Sequence, residues 1–435
     1  GNALMAVTSG VAPGAAERAG MSAARLDRIA PVFERYVSER KLAGVVTLVA
    51  RRGEVVYFEA VGERDIEQRL PMTQDTIFRL YSQSKPVTGV AVMMLCEEGH
   101  FTLKDPIANF LPEFRDMRVY TGAGHGVARF EPAHAITIQH LLTHTSGLTH
   151  EFFATPVASG YREGQFGPKG EASPYDDLAA WTAALARQPL IAQPGTDWNY
   201  SVGMDVLGRL VEVVSGKRFS AFLSERIFEP LGMPDTDFLV PAEKLDRFAS
   251  NYVAGPDGGL MPIDRPPTSP YRHPPKIDSG GGGLVGTAAD YLRFAQMLAN
   301  GGALDGVRLL SPRTVDLMMS NHVNPEVRAD PMTSLTQLFP ARIGAAGELT
   351  GGRGGDAGRA WGYGFGLSGF VVTEPGLTGI AMSKGTFSSG GAATTHFWVD
   401  REAELVGIVM AQLMPDATYP IRELMQQMTY QAIVG

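Results

Sequence analysis

The stretch "FRLYSQSKPVTGVAVMMLCEEGH", residues 78–100, joins a short polar segment to an apolar helical pattern. From Val87 onward, apolar side chains recur at i, i+3, i+4, i+7 and i+8, which predicts a helix over residues 83–100. Ser82 stands where this helix begins and Lys85 follows one turn later, in the pattern S-x-x-K. Residues three apart lie on the same face of a helix, so the two side chains are expected to meet.

Ser82 allows a structural and a catalytic interpretation. A serine at a helix N-terminus is most often an N-cap. The free amides of a first helical turn can also bind a developing oxyanion. A lysine in a poorly solvated pocket can lose its proton and act as base for a serine hydroxyl. A second S-x-x-K match, Ser38 to Lys41, lies among charged residues and indicates only a solvated helix end.

Composition limits the class of protein and its partners. The chain has 435 residues, of which 44% are hydrophobic and 19% charged, as is typical of a globular protein with one large core or two moderate ones. The formal net charge of −8 argues against nucleic acid or an anionic membrane surface as the main partner. The nine histidines show no metal-binding spacing, so neither a metal nor another cofactor is predicted. The single cysteine, Cys96, excludes an internal disulfide and is interpreted as a small buried residue.

Targeting signals are weak. No window approaches 18 uninterrupted apolar residues, so no transmembrane helix is predicted. The opening "GNALMAVTSGVAPGAAERAG" lacks a basic segment followed by an apolar one, so an intact signal peptide is not expected, although one could have been removed. A cytoplasmic location is therefore the expectation, and the residues do not indicate an oligomeric state.

Strand patterns stand at both ends of the chain. "GVVTLVARRGEVVYFEAVGE" predicts two strands around a turn at Arg52-Gly53, and "TTHFWVD" with "AELVGIVMAQL" predicts another pair around Arg401-Glu402. An amphipathic helix over residues 22–40, with a kink expected at Pro31, precedes the first pair, and a helix over residues 420–432 follows the second. With no βαβ alternation in between, we predict an α+β fold whose antiparallel sheet is formed by both chain ends and flanked by helices.

The middle of the chain is mostly helical. Helical patterns separated by Gly/Pro-rich loops cover residues 83–100, 137–143, 176–187, 201–215 and 218–227. A further helix is predicted from about Thr287 to Asn300, and residues 320–362 have the pattern of a long irregular loop. The expected organisation is an α/β domain made of residues 1–80 and 280–435, a mostly helical domain of residues 81–279, and an active site at their interface.

Two further stretches carry groups suited to hydrolysis. Tyr200 directly precedes the predicted helix over residues 201–215, where an aromatic side chain usually packs, but a tyrosine hydroxyl could also pass a proton to a leaving alcohol. Ser389, Gly390 and Gly391 precede a strong strand. The glycines could make a simple turn, or could let the strand edge approach an acyl group and offer an amide to an oxyanion.

Together these motifs resemble those of the serine β-lactamase-like hydrolases. They are Ser82-x-x-Lys85, Tyr200-Ser201, "LLTHTSGL" at 141–148, "SGGGGLVGTAADYLRFAQML" at 279–298, and Ser389-Gly390-Gly391. Over roughly residues 20–430 the chain is similar to the family VIII carboxylesterases, which share a fold with class C β-lactamases and penicillin-binding proteins. The resemblance implies that Ser82 is the nucleophile, with Lys85 as its general base and Tyr200 in the proton relay. It also implies an oxyanion hole formed by the backbone amides of Ser82 and Ala392.

Two positions depart from the β-lactamase pattern. Val202 stands where β-lactamases carry the asparagine of Tyr-x-Asn, and Ser389-Gly390-Gly391 stands where they carry Lys-Thr-Gly. Both changes remove polar groups that would hold the amide and carboxylate of a β-lactam. The resemblance therefore favours an esterase that holds its substrate beside Ser389, Gly390 and Gly391.

The expected function is hydrolysis of small esters with short acyl chains through an acyl-enzyme on Ser82. A β-lactamase, a D-amino-acid peptidase or an acyltransferase on the same scaffold is the alternative, and a catalytically silent binding module is a third possibility. The chain contains no G-x-S-x-G, so the α/β-hydrolase nucleophile elbow is excluded. His144 and His150 could serve as bases of a catalytic triad, but we interpret them as side chains that support a loop.

Overall fold

An eight-stranded antiparallel sheet forms the centre of the protein. The computed structural model describes residues 10–167, 170–323 and 362–435, together with the backbone of residues 342–343 and 349–350. In chain order the strands of the sheet are β1 (Gly44–Arg51), β2 (Glu54–Asp65), β3 (Leu70–Pro71), β4 (Tyr363–Phe365), β5 (Phe370–Val372), β6 (Phe387–Gly391), β7 (Thr395–Asp400) and β8 (Leu405–Met410). Their spatial order is β4-β5-β6-β7-β8-β1-β2-β3.

The sheet joins the two ends of the chain through the pairing of β1 with β8. Their register runs from Val46 opposite Met410 to Arg51 opposite Leu405. β1 continues into β2 through Arg52 and Gly53, whose φ angles of 53° and 76° are both left-handed, as a two-residue turn of type I′ requires. The α+β class and the antiparallel sheet formed by both chain ends are thus confirmed.

Helices lie on both faces of this sheet. The longer ones are α1 (Ile29–Ser38), α2 (Lys85–Glu97), α3 (Pro156–Glu163), α4 (Leu178–Leu185), α5 (Gly203–Ser215), α6 (Ala288–Ala299) and α7 (Ile421–Tyr430). Shorter α-helical segments are Ala15–Arg18, Ala23–Leu26, Ile138–Leu142, Phe219–Leu223, Glu229–Leu231, Pro312–Met318 and Pro375–Thr378. None of the helices in the described part of the chain combines the length and the apolarity that crossing a membrane requires.

The two faces of β1 belong to two different hydrophobic cores. Val46 and Leu48 point to the core that contains α2, α5 and α6, whereas Val45 and Val49 point to the core that contains α1 and α7. Side chains alternate between the two faces of a strand, so a strand covered on both sides is apolar along most of its length, as β1 is between Val45 and Ala50 except at Thr47. Every residue of β1 is accordingly buried.

The N-terminal helix differs from its prediction. The run over residues 22–40 forms two helices, Ala23–Leu26 and α1, separated by residues 27 and 28. Pro31 lies in the first turn of α1, where a missing N–H breaks no helical hydrogen bond. A continuous helix would bring its ring against the carbonyl of Asp27, so the chain breaks before the proline instead of bending at it.

Residues 81–279 contain helices α2 to α5 and two hairpins that the sequence pattern did not predict. α2 is buried from Lys85 to Leu95 and packs against α5, so it is apolar on more than the one predicted face. The hairpins are Arg118–Gly124 with Val127–Pro132, and Asn251–Ala254 with Leu260–Asp264. Whether residues 81–279 form a domain of their own stays a prediction. Most of the predicted loop over residues 320–362 lies outside the described residues.

Cys96, interpreted from the sequence as a small buried residue, is half-buried near the end of α2 and packs against the core. Burial raises the pKa of its thiol above the usual value. The side chain therefore remains a protonated thiol near neutral pH.

Candidate active site

Ser82 lies in a tight turn that leads directly into α2. The turn is the 3₁₀ segment Tyr81–Ser84, and the N-cap of α2 is Ser84. The interpretation of Ser82 as the N-cap of this helix is therefore wrong, because Ser82 lies within a 3₁₀ turn that precedes the start of the α-helix. Tyr81 adopts a φ of 44°, a left-handed value that a bulky residue adopts only where the surroundings impose it.

The side chains of Ser82, Lys85 and Tyr200 meet at this turn. Lys85 Nζ donates a hydrogen bond to Ser82 Oγ at 3.1 Å, and the Tyr200 hydroxyl forms a short hydrogen bond with the same oxygen. Nζ also lies 4.5 Å from the centre of the Tyr200 ring. Lys85 and Tyr200 are 5% and 7% exposed, so the lysine is in the poorly solvated environment that its proposed role requires. A hydroxyl in contact with both an amine and a phenol is the arrangement of an activated nucleophile.

Tyr200 is held by the loop before α5 and by two buried histidines. The His144 ring lies 4.9 Å from the Tyr200 ring, and the His150 ring stacks at 6.2 Å. Helix α5 begins at Gly203, two residues after the predicted start, and Val202 is its N-cap. The Ser201 amide donates to His144 Nδ1 at 3.2 Å.

Both histidines are neutral. Burial lowers the pKa of His150 to about 3 and that of His144 well below its usual value, and the positive charge of Lys85 acts in the same direction. The hydrogen bonds of Ser82 Oγ are formed with Lys85 and Tyr200. The structure thus favours the histidines as supports for Tyr200 over their alternative as triad bases.

Lys85 has a second partner in the glycine-rich loop before α6. Nζ donates to the Gly281 carbonyl at 2.6 Å. The same loop contacts Asp205 on α5, whose carboxylate accepts hydrogen bonds from the Ser279 hydroxyl and from the Gly281 amide at 3.3 Å. The sequence pattern pointed to neither Asp205 nor Gly281 as a site residue. The run of four glycines was the available signal, since a backbone that must approach other groups closely excludes a Cβ.

Strand β6 runs along the Ser82 turn. Ser389 Oγ donates to the Ser82 carbonyl at 3.3 Å. A Cβ on Gly391 would lie 2.1 Å from the Leu80 carbonyl, so only glycine allows the strand to pass this close to the turn. Ala392, which follows the strand, lines the same cavity as Ser82. Roles for these residues in binding substrate or oxyanion stay predictions.

A cavity of about 410 Å³ opens beside Ser82 and Lys85. This volume lies within the range of about 300–1,000 Å³ that is usual for small-molecule sites. Its walls are mainly aromatic and aliphatic. They include Tyr81, Phe152, Phe166, Trp181, Val202, Phe238, Ile263, Tyr271 and Ile277. Across the described residues, no group of three or more His, Cys, Asp or Glu side chains is placed to hold a metal ion.

The fold and the matching family and relatives support a hydrolase of the serine β-lactamase superfamily. The family described as "Beta-lactamase" matches residues 29–428. The chain therefore belongs to the β-lactamase family.

Individual relatives narrow the resemblance. Esterase EstB of Burkholderia gladioli is 34% identical over 394 residues, which are 87% of this chain and 87% of the relative. Protein Rv1367c of Mycobacterium tuberculosis is 36% identical over 381 residues, 86% of this chain and 87% of the relative. The solved structure of EstCE1, described as a hydrolase with promiscuous acyltransferase activity, matches with a TM-score of 0.72 and 27% identity over 95% of this chain and 98% of that chain. The predicted resemblance to family VIII esterases on this fold is confirmed.

Proposed function

We propose that the protein is a serine carboxylesterase that hydrolyses small esters with short acyl chains through an acyl-enzyme on Ser82. The observation that carries the proposal is the contact of Ser82 Oγ with both Lys85 Nζ and the Tyr200 hydroxyl. The esterase relative EstB and the hydrolase EstCE1 support ester chemistry on this scaffold.

The contacts supply a path for the proton. Lys85, as the neutral amine, takes the proton of Ser82 Oγ while the oxygen attacks the ester carbonyl. When the carbon–oxygen bond of the ester breaks, the Tyr200 hydroxyl gives its proton to the leaving alcohol and is reprotonated from Lys85. Water then attacks the acyl group on Ser82, and the same groups return the proton to Ser82 Oγ. The amides of Ser82 and Ala392 would stabilise the oxyanion in both steps.

An acyltransferase is the second candidate. The acyl group on Ser82 can pass to an alcohol instead of water, and an apolar cavity of about 410 Å³ offers room for such an acceptor while excluding water from its walls. The description of EstCE1 as having promiscuous acyltransferase activity supports this candidate. Adding a primary alcohol during turnover separates the two, because a transferase forms a new ester and a strict hydrolase forms only free acid.

The proposed nucleophile can be tested directly. Ser82→Ala should abolish turnover of p-nitrophenyl butyrate, since losing a nucleophile costs several orders of magnitude in kcat. A fluorophosphonate probe should add its mass to the wild-type protein on the peptide that contains Ser82, and should not label the variant. Ser38→Ala, at the other S-x-x-K, is the matched control and should behave as wild type. Substantial turnover by a folded Ser82→Ala protein would disprove the assignment.

A further inference from the structure

We propose that Asp205 is a positioning residue for Lys85: it fixes the Gly281 loop that holds the lysine amine beside Ser82, and it places a negative charge in the surroundings of these groups. This proposal rests on the proposed function, because it gives Asp205 a task only if Lys85 is the base for Ser82. Asp205 is buried, lines the cavity and sits in the first turn of α5.

Gly281 connects the two charged side chains. Its carbonyl accepts a hydrogen bond from Lys85 Nζ at 2.6 Å, and its amide donates to Asp205 Oδ1 at 3.3 Å. The Ser279 hydroxyl donates to the same carboxylate oxygen. One loop residue is therefore held from both sides, and any movement of it away from Asp205 also moves the acceptor of Lys85.

The loop has little room to relax. A Cβ on Gly281 would lie 2.5 Å from Asp205 Oδ2, and one on Gly280 would lie 2.7 Å from the Met204 carbonyl of α5. From the opposite side, Thr88 of α2 donates to the Gly280 carbonyl at 2.7 Å. The loop is thus pressed between α2 and α5, and the carboxylate is the group on α5 that binds it through hydrogen bonds.

The charge of Asp205 acts on Lys85 as well. Burial raises the pKa of Asp205, while the Ser279 hydroxyl, the positive charge of Lys85 and the Gly281 amide oppose that rise. The other groups that face Lys85 are the hydroxyls of Ser82 and Tyr200 and the neutral rings of His144 and His150. Replacing this carboxylate by a neutral amide of the same shape removes the negative charge from the surroundings of Lys85.

Asp290 provides a matched control. It is a buried aspartate on α6 that also accepts hydrogen bonds from one hydroxyl, of Thr236, and one backbone amide, of Asp235, both at 2.8 Å. It is not among the residues that line the cavity. Changing Asp290 to asparagine thus removes an equivalent buried charge without touching Lys85.

The test measures kcat and KM for p-nitrophenyl butyrate from about pH 5 to about pH 9 in wild type, Asp205→Asn, Ser279→Ala and Asp290→Asn. We expect Asp205→Asn to lower kcat at least about tenfold with little change in KM, and to move the acid limb of the rate profile because a buried charge near the reacting groups is lost. Ser279→Ala keeps the charge, so it should lower kcat without moving that limb. Asp290→Asn should keep both the rate and the profile.

Thermal unfolding of each variant separates these effects from loss of structure. The proposal is overturned if folded Asp205→Asn has the kcat and the pH profile of the wild type. It is also overturned if Asp290→Asn loses as much of kcat as Asp205→Asn does. If Asp205→Asn does not fold, an unchanged kcat in Ser279→Ala overturns the positioning role. The proposed function is tested separately, because an active Ser82→Ala protein would overturn it. If Ser82→Ala is inactive but Asp205→Asn has the activity of the wild type, only the role of Asp205 is overturned.

Discussion

Replacing His150 with phenylalanine tests whether this residue is a neutral support or a catalytic base. The His150 ring stacks on Phe152 with centres 3.9 Å apart and faces Tyr200, so a phenylalanine ring can occupy the same place. His150 Nδ1 is buried and has no hydrogen-bond partner among the residues that the structure describes, so the replacement also removes a polar atom that these residues leave unsatisfied. We expect the variant to hydrolyse esters near the wild-type rate and to lose part of the acid sensitivity of the fold.

The size of the effect follows from the pKa. Burial lowers the pKa of His150 from 6.5 to about 3, so the unfolded chain binds a proton in this interval that the folded chain does not. The contribution to stability is therefore complete above pH 6.5 and is lost as the pH falls towards 3, by about 1.4 kcal/mol per pH unit. At about pH 5 the wild type should have lost about 2 kcal/mol that the phenylalanine variant keeps.

Other groups change stability in the same pH range, so the comparison must be a difference. Burial raises the pKa of Asp290 to about 6, which makes its own contribution to stability fall as the pH rises from 3.8 towards 6. This contribution to the free energy of unfolding therefore changes with pH in the opposite direction from the contribution of His150. Both proteins contain Asp290, so its contribution cancels in the difference between them.

Urea unfolding of both proteins at about pH 7.5 and about pH 5 measures that difference. At the higher pH the two free energies of unfolding report only packing, which makes this pH the internal control. If the free energy of unfolding changed equally with pH in the two proteins, the assignment of His150 as a buried neutral imidazole would be refuted. A loss of ester turnover by several orders of magnitude in the folded variant would identify His150 as the base instead.

Two further predictions concern the proton path and selectivity. Lys85→Ala and Tyr200→Phe should each lower the acylation rate by at least about a hundredfold in a burst or single-turnover assay, because either change interrupts the proton path from Ser82 to the leaving alcohol. If one of these variants acylates at the wild-type rate, that residue is not part of the proton path. The kcat/KM for p-nitrophenyl butyrate should exceed that for benzylpenicillin. Val202→Asn should lower the ratio of the ester value to the penicillin value by roughly tenfold, since one polar partner for the β-lactam amide is worth about 1–3 kcal/mol. A penicillin value above the ester value in wild type would favour the β-lactamase alternative.

The main sheet and the Ser82–Lys85 pair could be predicted because their signals are local. Runs of apolar, mostly β-branched residues on either side of the turn at Arg52-Gly53 specify the first two strands without reference to the rest of the chain. Helical spacing alone places Lys85 on the same face as Ser82. The contact with Tyr200 spans 118 residues, so the local sequence left this residue between packing and proton transfer, and the resemblance to a family assigned it to the proton relay.

The missed features depend on tertiary structure. Strand Val127–Pro132 is exposed along its whole length, so it lacks the alternation that indicates a half-buried strand. Asp205 appears in the sequence as one acidic residue in the first turn of a helix, a common position that favours the helix dipole. Only the folded chain shows that the carboxylate meets a loop more than 70 residues away, at Ser279.

The structure also changes how the departure at Ser389 should be understood. As a missing lysine, it would mean only a lost partner for a β-lactam carboxylate. Ser389 is buried, however, and its hydroxyl donates a hydrogen bond to the Ser82 carbonyl at 3.3 Å, so this side chain also supports the turn that carries the proposed nucleophile. Introducing lysine there would remove that hydrogen bond and place a charge in a buried strand, which is costly without a partner. Val202 lines the cavity and is the N-cap of α5, where asparagine is a favoured residue. Position 202 is therefore better suited than position 389 for adding a polar side chain without disturbing Ser82.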